Sequence, residues 1–263
     1  MRKYMERNGL IPYFVCMDEL VLLKNRFSEL SERSFDRGIY TYSEFLTQAE
    51  QSVLLKMKLP AALSLYGGYD NAERCIAVFG DENELGYECV YPVRFIKIEP
   101  MQMKFADKLS HRDFLGSLMG LGLRREMLGD IIINENVAYL VCIDSVADFI
   151  INQLDKVKHT SVKCSESDYI PTDVLPELKY EEYIVSSERL DVLVSAVYNL
   201  SRNESQRRID GETVFCDSVL TVNASFVPAT GSIISVRGLG RFIYDGVLRQ
   251  TKKGRSVIAV RIY

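Results

Sequence analysis

The change of apolar period along residues 88–165 is the feature of this sequence that most constrains its fold. Apolar residues alternate with polar ones in some segments, as in strands, and recur every three or four residues in others, as in helices. We predict strands at 90–98, 130–133, 137–143 and 160–164, and helices at 110–121 and 146–154. Asn134-Glu135-Asn136 supplies a turn between the two middle strands. The order βαββαβ is the split unit of ferredoxin-like domains, so we expect the middle strands to pair antiparallel and both helices to cover one face.

The residues before this unit predict helices and a small β-hairpin. Apolar positions at helical spacing indicate a helix over residues 12–30, and a second helix begins at Thr47, where Glu50 completes a capping box. Residues 62–66 and 75–79 are predicted strands, and the turn-forming pair Gly67-Gly68 lies between them. The fold class predicted is therefore α+β.

Four segments follow from these patterns. Residues 1–87 form an N-terminal α/β domain, 88–165 the ferredoxin-like domain, 166–179 a polar linker that contains two prolines, and 180–263 a C-terminal domain. Many RNA-binding modules share the βαββαβ order, which makes 88–165 a candidate RNA-binding domain, although the aromatic signature of RRM domains is absent. The C-terminal domain ends in a hairpin of strands 241–250 and 256–263.

Two short helices open the C-terminal domain. Leu190, Leu193, Val194 and Val197 form the core stripe of the first helix, and Arg189 and Asp191 are predicted to point away from that stripe. The second helix begins after Ser201, with Glu204 completing another capping box.

Arg202 then occupies the first helical position, where the helix dipole disfavours a cation by roughly 0.3–1 kcal/mol. An anion such as phosphate would reverse that cost by sharing the free N–H groups and the guanidinium. Gln206 lies one turn on, on the same face. The alternative is a solvated Arg202 or an ion pair with Glu204 or Asp191. Arg207 and Arg208 near the helix C-terminus are predicted to be structural.

The composition indicates the cellular compartment of the protein and the charge of its binding partners. The segment 186–263 has eleven basic and seven acidic residues, a net charge of +4, whereas the remainder carries −8, which suggests a polyanion-binding module on an acidic body. The six cysteines show no C-x-x-C pair, and several stand in apolar runs, which argues for a reducing compartment and against a zinc or disulfide framework. No signal peptide or membrane-spanning run is evident, so we expect a cytoplasmic protein.

The C-terminal motifs resemble the S4 domain, an RNA-binding module of ribosomal and RNA-modifying proteins. The resemblance rests on Arg189-Leu190-Asp191, Asn199-Leu200-Ser201-Arg202, Val214-Phe215 and Gly231-Ser232-Ile233-Ile234-Ser235-Val236-Arg237-Gly238. It implies an S4 (αL-type) fold that binds RNA mainly through shape and phosphates, using two helices and an adjoining turn.

Upstream motifs extend the match to the YlmH-like family of bacterial S4 proteins. These motifs are Phe45-Leu46-Thr47, Gly67-Gly68-Tyr69, Glu73-Arg74, His111-Arg112-Asp113-Phe114-Leu115-Gly116 and Gly120-Leu121-Gly122. The resemblance implies a protein that binds rRNA and peptidyl-tRNA on the large ribosomal subunit, with links to translation quality control and to cell-division genes. We expect the protein to be monomeric when free. The expected RNA-binding residues are Arg189, Asp191, Ser201, Arg202, Gln206, Arg237, Arg241, His111 and Arg112.

Two positions depart from the S4 pattern. Most S4 domains have glycine where this chain has Glu212, and asparagine where it has Asp217. An acidic residue near the RNA-binding face weakens attraction for phosphate, so we expect a lower affinity than in relatives.

Enzymes and scaffolds are the alternatives. Arg-Leu-Asp also occurs in the catalytic loop of pseudouridine synthases, but Asp191 is followed by an amphipathic helix here. His111 and His159 have no third partner at a recognisable spacing; His111 follows the helix cap Ser110, and either it or Arg112 could contact RNA there. We therefore predict no enzymatic activity, no cofactor and no metal. A protein-interaction scaffold, which would keep the core pattern of an S4 domain, remains the other possibility.

Overall fold

A computed structural model describes residues 17–175, 177–217 and 219–263, apart from the side chains of residues 17–19 and 105. The chain divides into a compact unit of residues 25–176 and another that contains residues 177–263. Seven α-helices and three main sheets occur in the described part, which confirms the mixed α+β class.

The N-terminal part of the first unit is a three-stranded sheet with flanking helices. Its elements are α1 (Met17–Arg37), β1 (Thr41–Leu46), α2 (Gln48–Leu54), β2 (Leu63–Tyr66), β3 (Cys75–Phe79) and α3 (Glu82–Leu85). The sheet order is β1-β3-β2, with antiparallel neighbours, so the predicted hairpin of β2 and β3 is confirmed. The capping box of Thr47 and Glu50 at α2 is also present. Residues 12–16 of the predicted first helix lie outside the described residues.

The middle part of this unit follows the predicted order of strands and helices. Its elements are β4 (Val93–Pro100), α4 (His111–Gly120), β5 (Leu128–Asn134), β6 (Val137–Ile143), α5 (Asp144–Gln153), β7 (Lys156–Val157) and β8 (Thr160–Ser167). The sheet order is β5-β6-β4-β8-β7. The antiparallel pairing of β5 with β6 is confirmed, with Glu135 in the left-handed turn between them at φ 55°.

The two faces of this sheet have different neighbours. One face packs against both α4 and α5 in a single core that includes Ile96, Leu140, Phe114 and Ile150, so both helices lie on the same side, as predicted. The other face contributes Val141 and its neighbours to a second core with residues of β1 and β3. The β1–β3 sheet therefore covers the face that the helices leave open.

The segment predicted as a linker differs from that expectation. β8 continues to Ser167, and a short 3-10 helix spans Thr172–Val174. Ile170 is buried in the second core, because an apolar side chain within reach of an open sheet face is stabilised by leaving water.

The second unit is a six-stranded antiparallel sheet with two helices. Its elements are β9 (Lys179–Val185), α6 (Leu190–Val197), α7 (Arg202–Asp210), β10 (Val214–Cys216), β11 (Val219–Leu220), β12 (Ile233–Val236), β13 (Gly240–Gln250) and β14 (Ser256–Ile262). The sheet order is β11-β10-β12-β13-β14-β9. Leu193 and Val194 of α6 and Ile209 of α7 share a core with Phe242 and Tyr244 on one face of this sheet.

Four of the five cysteines that the structure describes are buried, and Cys89 is half-buried. Cys75, Cys89, Cys142, Cys164 and Cys216 are free thiols. Burial raises the pKa of Cys75 and Cys142 to about 12, so these thiols stay protonated at neutral pH. Along the described ranges, no helix combines the length and the apolar character needed to cross a bilayer.

Candidate nucleic-acid interface

Two arginines from different helices meet one buried carboxylate in the second unit. The guanidinium of Arg189, the N-cap residue of α6, donates to both oxygens of Asp191 at 2.9 and 3.0 Å. Nε of Arg202, the first residue of α7, lies 3.7 Å from Oδ2 of the same carboxylate. The N-terminal ends of α6 and α7 are thus held together by charge.

Asp191 differs from the prediction that it points away from the core. Its side chain is 1% exposed, and Ser205 of α7 donates its hydroxyl hydrogen to the Asp191 backbone carbonyl at 2.6 Å. Burying a carboxylate is costly unless it is paired, and the two guanidinium groups provide that pairing. The partner of Arg202 is therefore Asp191, because Glu204 is engaged by its own cap. A buried carboxylate organises the arginines and does not itself present a surface for ligands.

Arg202 combines high exposure with free backbone donors. Its side chain is 74% exposed. Ser201 and Glu204 form the predicted capping box, in which Ser201 Oγ accepts from the Glu204 N–H and the Glu204 carboxylate accepts from Ser201. Among the described residues, no acceptor faces the N–H groups of Arg202 or Asn203. The beginning of α7 can therefore offer an anion two N–H groups as well as a guanidinium.

The beginning of α6 offers an anion fewer backbone N–H groups than the beginning of α7 does. The N–H of Leu190 donates to the carbonyl of Phe226 at 2.8 Å, and that of Asp191 donates to the carbonyl of Ala224 at 3.2 Å. These bonds occupy the donors that an anion would use. Arg189, whose side chain is 35% exposed, can bind a phosphate only through its guanidinium.

Arg237 and Gln206 form no hydrogen bond or ion pair with Arg189, Asp191 or Arg202 in the described part of the chain. Gln206 lies one turn further along α7 than Arg202, and Arg237 lies near the C-terminal end of that helix. Arg237 follows β12, and its carbonyl accepts from the Arg208 guanidinium at 3.2 Å, near the C-terminal end of α7. Its own guanidinium lies 4.8 Å from the centre of the Phe215 ring. Gln206 donates to Asp210 at 2.8 Å, one turn on. At 1.5 Å per residue, Arg208 lies about 9 Å along the helix from Arg202.

Arg241 is on the other face of the sheet. Phe242 and Tyr244 face the helices in the core of this unit, so by alternation Arg241 points to the opposite face. Its guanidinium stacks 4.0 Å from the centre of the Tyr263 ring. The structure therefore groups Arg189, Asp191 and Arg202, and leaves Arg241 apart from them.

The two departures from the S4 pattern have local explanations. Asp217 adopts a left-handed conformation at φ 49°. Its carboxylate accepts from the Ile233 N–H at 2.8 Å and from the Ser232 hydroxyl at 3.0 Å, which closes the turn after β10. Glu212 is also left-handed, at φ 56°, whereas Gly211 beside it has an ordinary φ of −79°. The glycine precedes the left-handed position by one residue. Glu212, which has a Cβ, therefore adopts a strained conformation that glycine would adopt without steric cost.

Relief of that strain is testable. A left-handed conformation costs a residue with a Cβ about 1–2 kcal/mol, and the greater freedom of glycine in the unfolded chain offsets about 0.5–1 kcal/mol of this. We expect Glu212→Gly to raise the free energy of unfolding by about 0.5 kcal/mol, measured as a higher thermal midpoint. Glu212→Ala is the matched control, because it removes the charge and keeps the strain. Equal midpoints for the two variants would contradict this explanation.

The first unit holds the two remaining candidates. His111 and Arg112 are the exposed first residues of α4, whose cap is Ser110. Desolvation lowers the pKa of His111 below its usual value, Arg125 lowers it further, and Asp130 opposes both. The imidazole is therefore mostly neutral at pH 7 and gives phosphate little electrostatic attraction. Of His111 and Arg112, only Arg112 is therefore positively charged at neutral pH and able to attract phosphate.

The middle sheet has no open platform for stacking bases. RRM domains stack bases on the sheet face opposite their helices. That face is the one on which Phe95, Tyr139 and Val141 pack with the β1–β3 sheet. RNA binding by this unit would therefore have to use its helix ends or edges.

The comparisons with known proteins agree with an RNA-binding chain. Residues 87–170 match the family model described as "Putative RNA-binding domain in YlmH". A protein of Bacillus subtilis (strain 168) named "Ribosome-associated protein quality control protein P2" is 29% identical over 219 residues, which cover 81% of this chain and 83% of that protein.

A solved structure is also similar. It is the "Cell division protein ylmH from Streptococcus pneumoniae", with a TM-score of 0.46 and 19% identity, covering 60% of this chain and 96% of that one. The domain match and the relative confirm the resemblance to YlmH-like proteins that was drawn from the sequence motifs. Residues 87–170 match the YlmH RNA-binding domain, and the sequence motifs of the whole chain resemble the YlmH-like family.

Proposed function

We propose that this protein is a non-enzymatic RNA-binding protein that acts on the ribosome in the cytoplasm. It binds rRNA and tRNA on the large subunit, with peptidyl-tRNA, in translation quality control. The observation that carries the proposal is the pair of helix N-termini where buried Asp191 holds half-buried Arg189 and exposed Arg202. A phosphate placed there would meet two guanidinium groups and the free N–H groups of α7.

The relatives support the same role. The matched family is described as RNA-binding, and the Bacillus subtilis relative is named as ribosome-associated. We assign residues 180–263 to an S4 (αL-type) domain and residues 88–165 to a ferredoxin-like domain, with the chain monomeric when free. The helix pair α6–α7 over an antiparallel sheet is consistent with the first assignment, and the βαββαβ order with the second.

The geometry of Asp191 favours binding over catalysis. A catalytic aspartate must reach the substrate, whereas this carboxylate is buried and bonded twice by Arg189. A protein-interaction scaffold is the second candidate, supported by the net charge of −8 on residues 1–185. Exposed arginines at paired helix ends favour RNA as the main partner.

Salt dependence tests the phosphate-based mechanism. If about four phosphates are neutralised, the logarithm of the association constant should fall with the logarithm of salt concentration at a slope near −3, using the single-strand coefficient. The measurement is fluorescence anisotropy of the intact protein with a fluorescein-labelled stem-loop RNA. A flat salt response would refute the mechanism.

A further inference from the structure

The loop between β13 and β14 carries three exposed cations. Lys252, Lys253 and Arg255 are exposed at the tip of this hairpin, and only Gly254 separates Lys253 from Arg255. No carboxylate of the described residues pairs with any of them. The neighbouring cation Arg249 is neutralised, since it donates to Glu182 at 2.8 Å.

The backbone of this loop is well fixed by Thr251. The Thr251 N–H donates to the Arg255 carbonyl at 2.7 Å, and the Thr251 hydroxyl accepts from the Arg255 N–H at 3.0 Å. Gly254 completes the turn with a left-handed φ of 73°. The cations therefore project from an ordered turn, which lowers the conformational entropy lost when they bind a partner.

Strand register places the base of this hairpin loop near Arg189. Val185, the last residue of β9, pairs with Ser256, the first residue of β14. From Val185 the chain reaches Arg189 in four residues, which span at most about 14 Å. Paired Cα atoms are about 5.5 Å apart, so Arg189 and the base of the hairpin loop lie within about 20 Å of each other.

We propose that Lys252, Lys253 and Arg255 form a second phosphate-binding surface for the RNA that Arg189 and Arg202 contact. The inference rests on the proposed function and extends it to a two-point contact. Double-stranded RNA domains bind sites of about 16 base pairs, so one stem reaches both points. Lysine suits this role because a flexible ammonium binds phosphate as a point charge, without a required orientation.

The test is anisotropy of the intact protein with the same labelled stem-loop RNA. The Lys252→Ala/Lys253→Ala double variant should bind three- to tenfold more weakly. The salt slope should become shallower by about 1.4–1.8, the range that the single- and double-strand coefficients give for two lost phosphate contacts. Lys252→Arg/Lys253→Arg should retain wild-type affinity and slope, because it preserves both charges.

Lys179→Ala is the matched control. It removes an exposed lysine at the opposite end of β9, about 20 Å from Val185, and should leave the slope unchanged. If Arg202→Ala weakens binding and the double lysine variant does not, the second surface is overturned while the proposed function stands. If wild-type binding shows no salt dependence, the proposed function itself fails. Thermal midpoints of all variants should match, since these side chains are exposed.

Discussion

Replacing Arg202 with alanine should weaken binding to stem-loop RNA by ten- to a hundredfold. A charge-assisted contact to phosphate contributes about 1.5–3 kcal/mol, which corresponds to that range. The Arg202 side chain is 74% exposed, and its 3.7 Å approach to Asp191 is too long for a hydrogen bond. Because Arg189 keeps both short hydrogen bonds to Asp191, the free energy of unfolding should change by no more than about 0.5 kcal/mol. Anisotropy titration measures the binding, and a urea melt measures the stability.

Arg207→Ala is the internal control, because Arg207 is an exposed arginine of the same helix in its last turn, where cations are already favourable. It should have a smaller effect. Arg189→Ala should weaken binding as Arg202→Ala does, but it should also reduce stability, since buried Asp191 would lose both of its short hydrogen bonds. Wild-type affinity in Arg202→Ala would remove this residue from the interface.

Replacing Phe114 with alanine should destabilise the first unit by about 3–5 kcal/mol. Phe114 is fully buried on α4 and packs in the core formed with β4, β6 and α5. Truncating a buried aromatic ring loses its transfer free energy and leaves a cavity. Hydrogen exchange of peptides from β4–β6 is the suitable measurement, because it reports the opening of the elements that pack around Phe114.

Met119→Ala is the control for this prediction. Met119 lies on the same helix but is 40% exposed, so its truncation should reduce stability far less. Loss of less than about 1 kcal/mol in Phe114→Ala would contradict the packing of α4 on the sheet.

The fold was most predictable where apolar periodicity alone decides it. The βαββαβ order emerged from residues 88–165 because each strand and helix there has a clear apolar face. Strand β1 was missed for the opposite reason. Its inward-facing residues include polar Thr41 and Ser43, whose hydroxyls donate to the carbonyls of Leu30 and Glu44, so its buried face does not read as apolar.

The candidate site was only partly predictable. The sequence motifs identified Arg189, Asp191 and Arg202, but the burial of Asp191 depends on guanidinium groups from two helices that are apart in the sequence. Arg241 stood beside the same motifs, and only the strand register assigns it to the other face of the sheet. The burial of Asp191 and the position of Arg241 both depend on contacts between segments that are distant in the sequence. Local residue spacing does not reveal such contacts.

The most direct test of the central claim is crosslinking of the tagged protein to RNA in cells, followed by sucrose-gradient sedimentation and sequencing of the bound RNA. We expect co-migration with large ribosomal subunits and crosslinks in rRNA and tRNA. These crosslinks should be lost in Arg202→Ala and retained in Arg207→Ala. A profile free of RNA would contradict the account and favour a protein scaffold, and a single modified nucleotide at the crosslink would favour an enzyme.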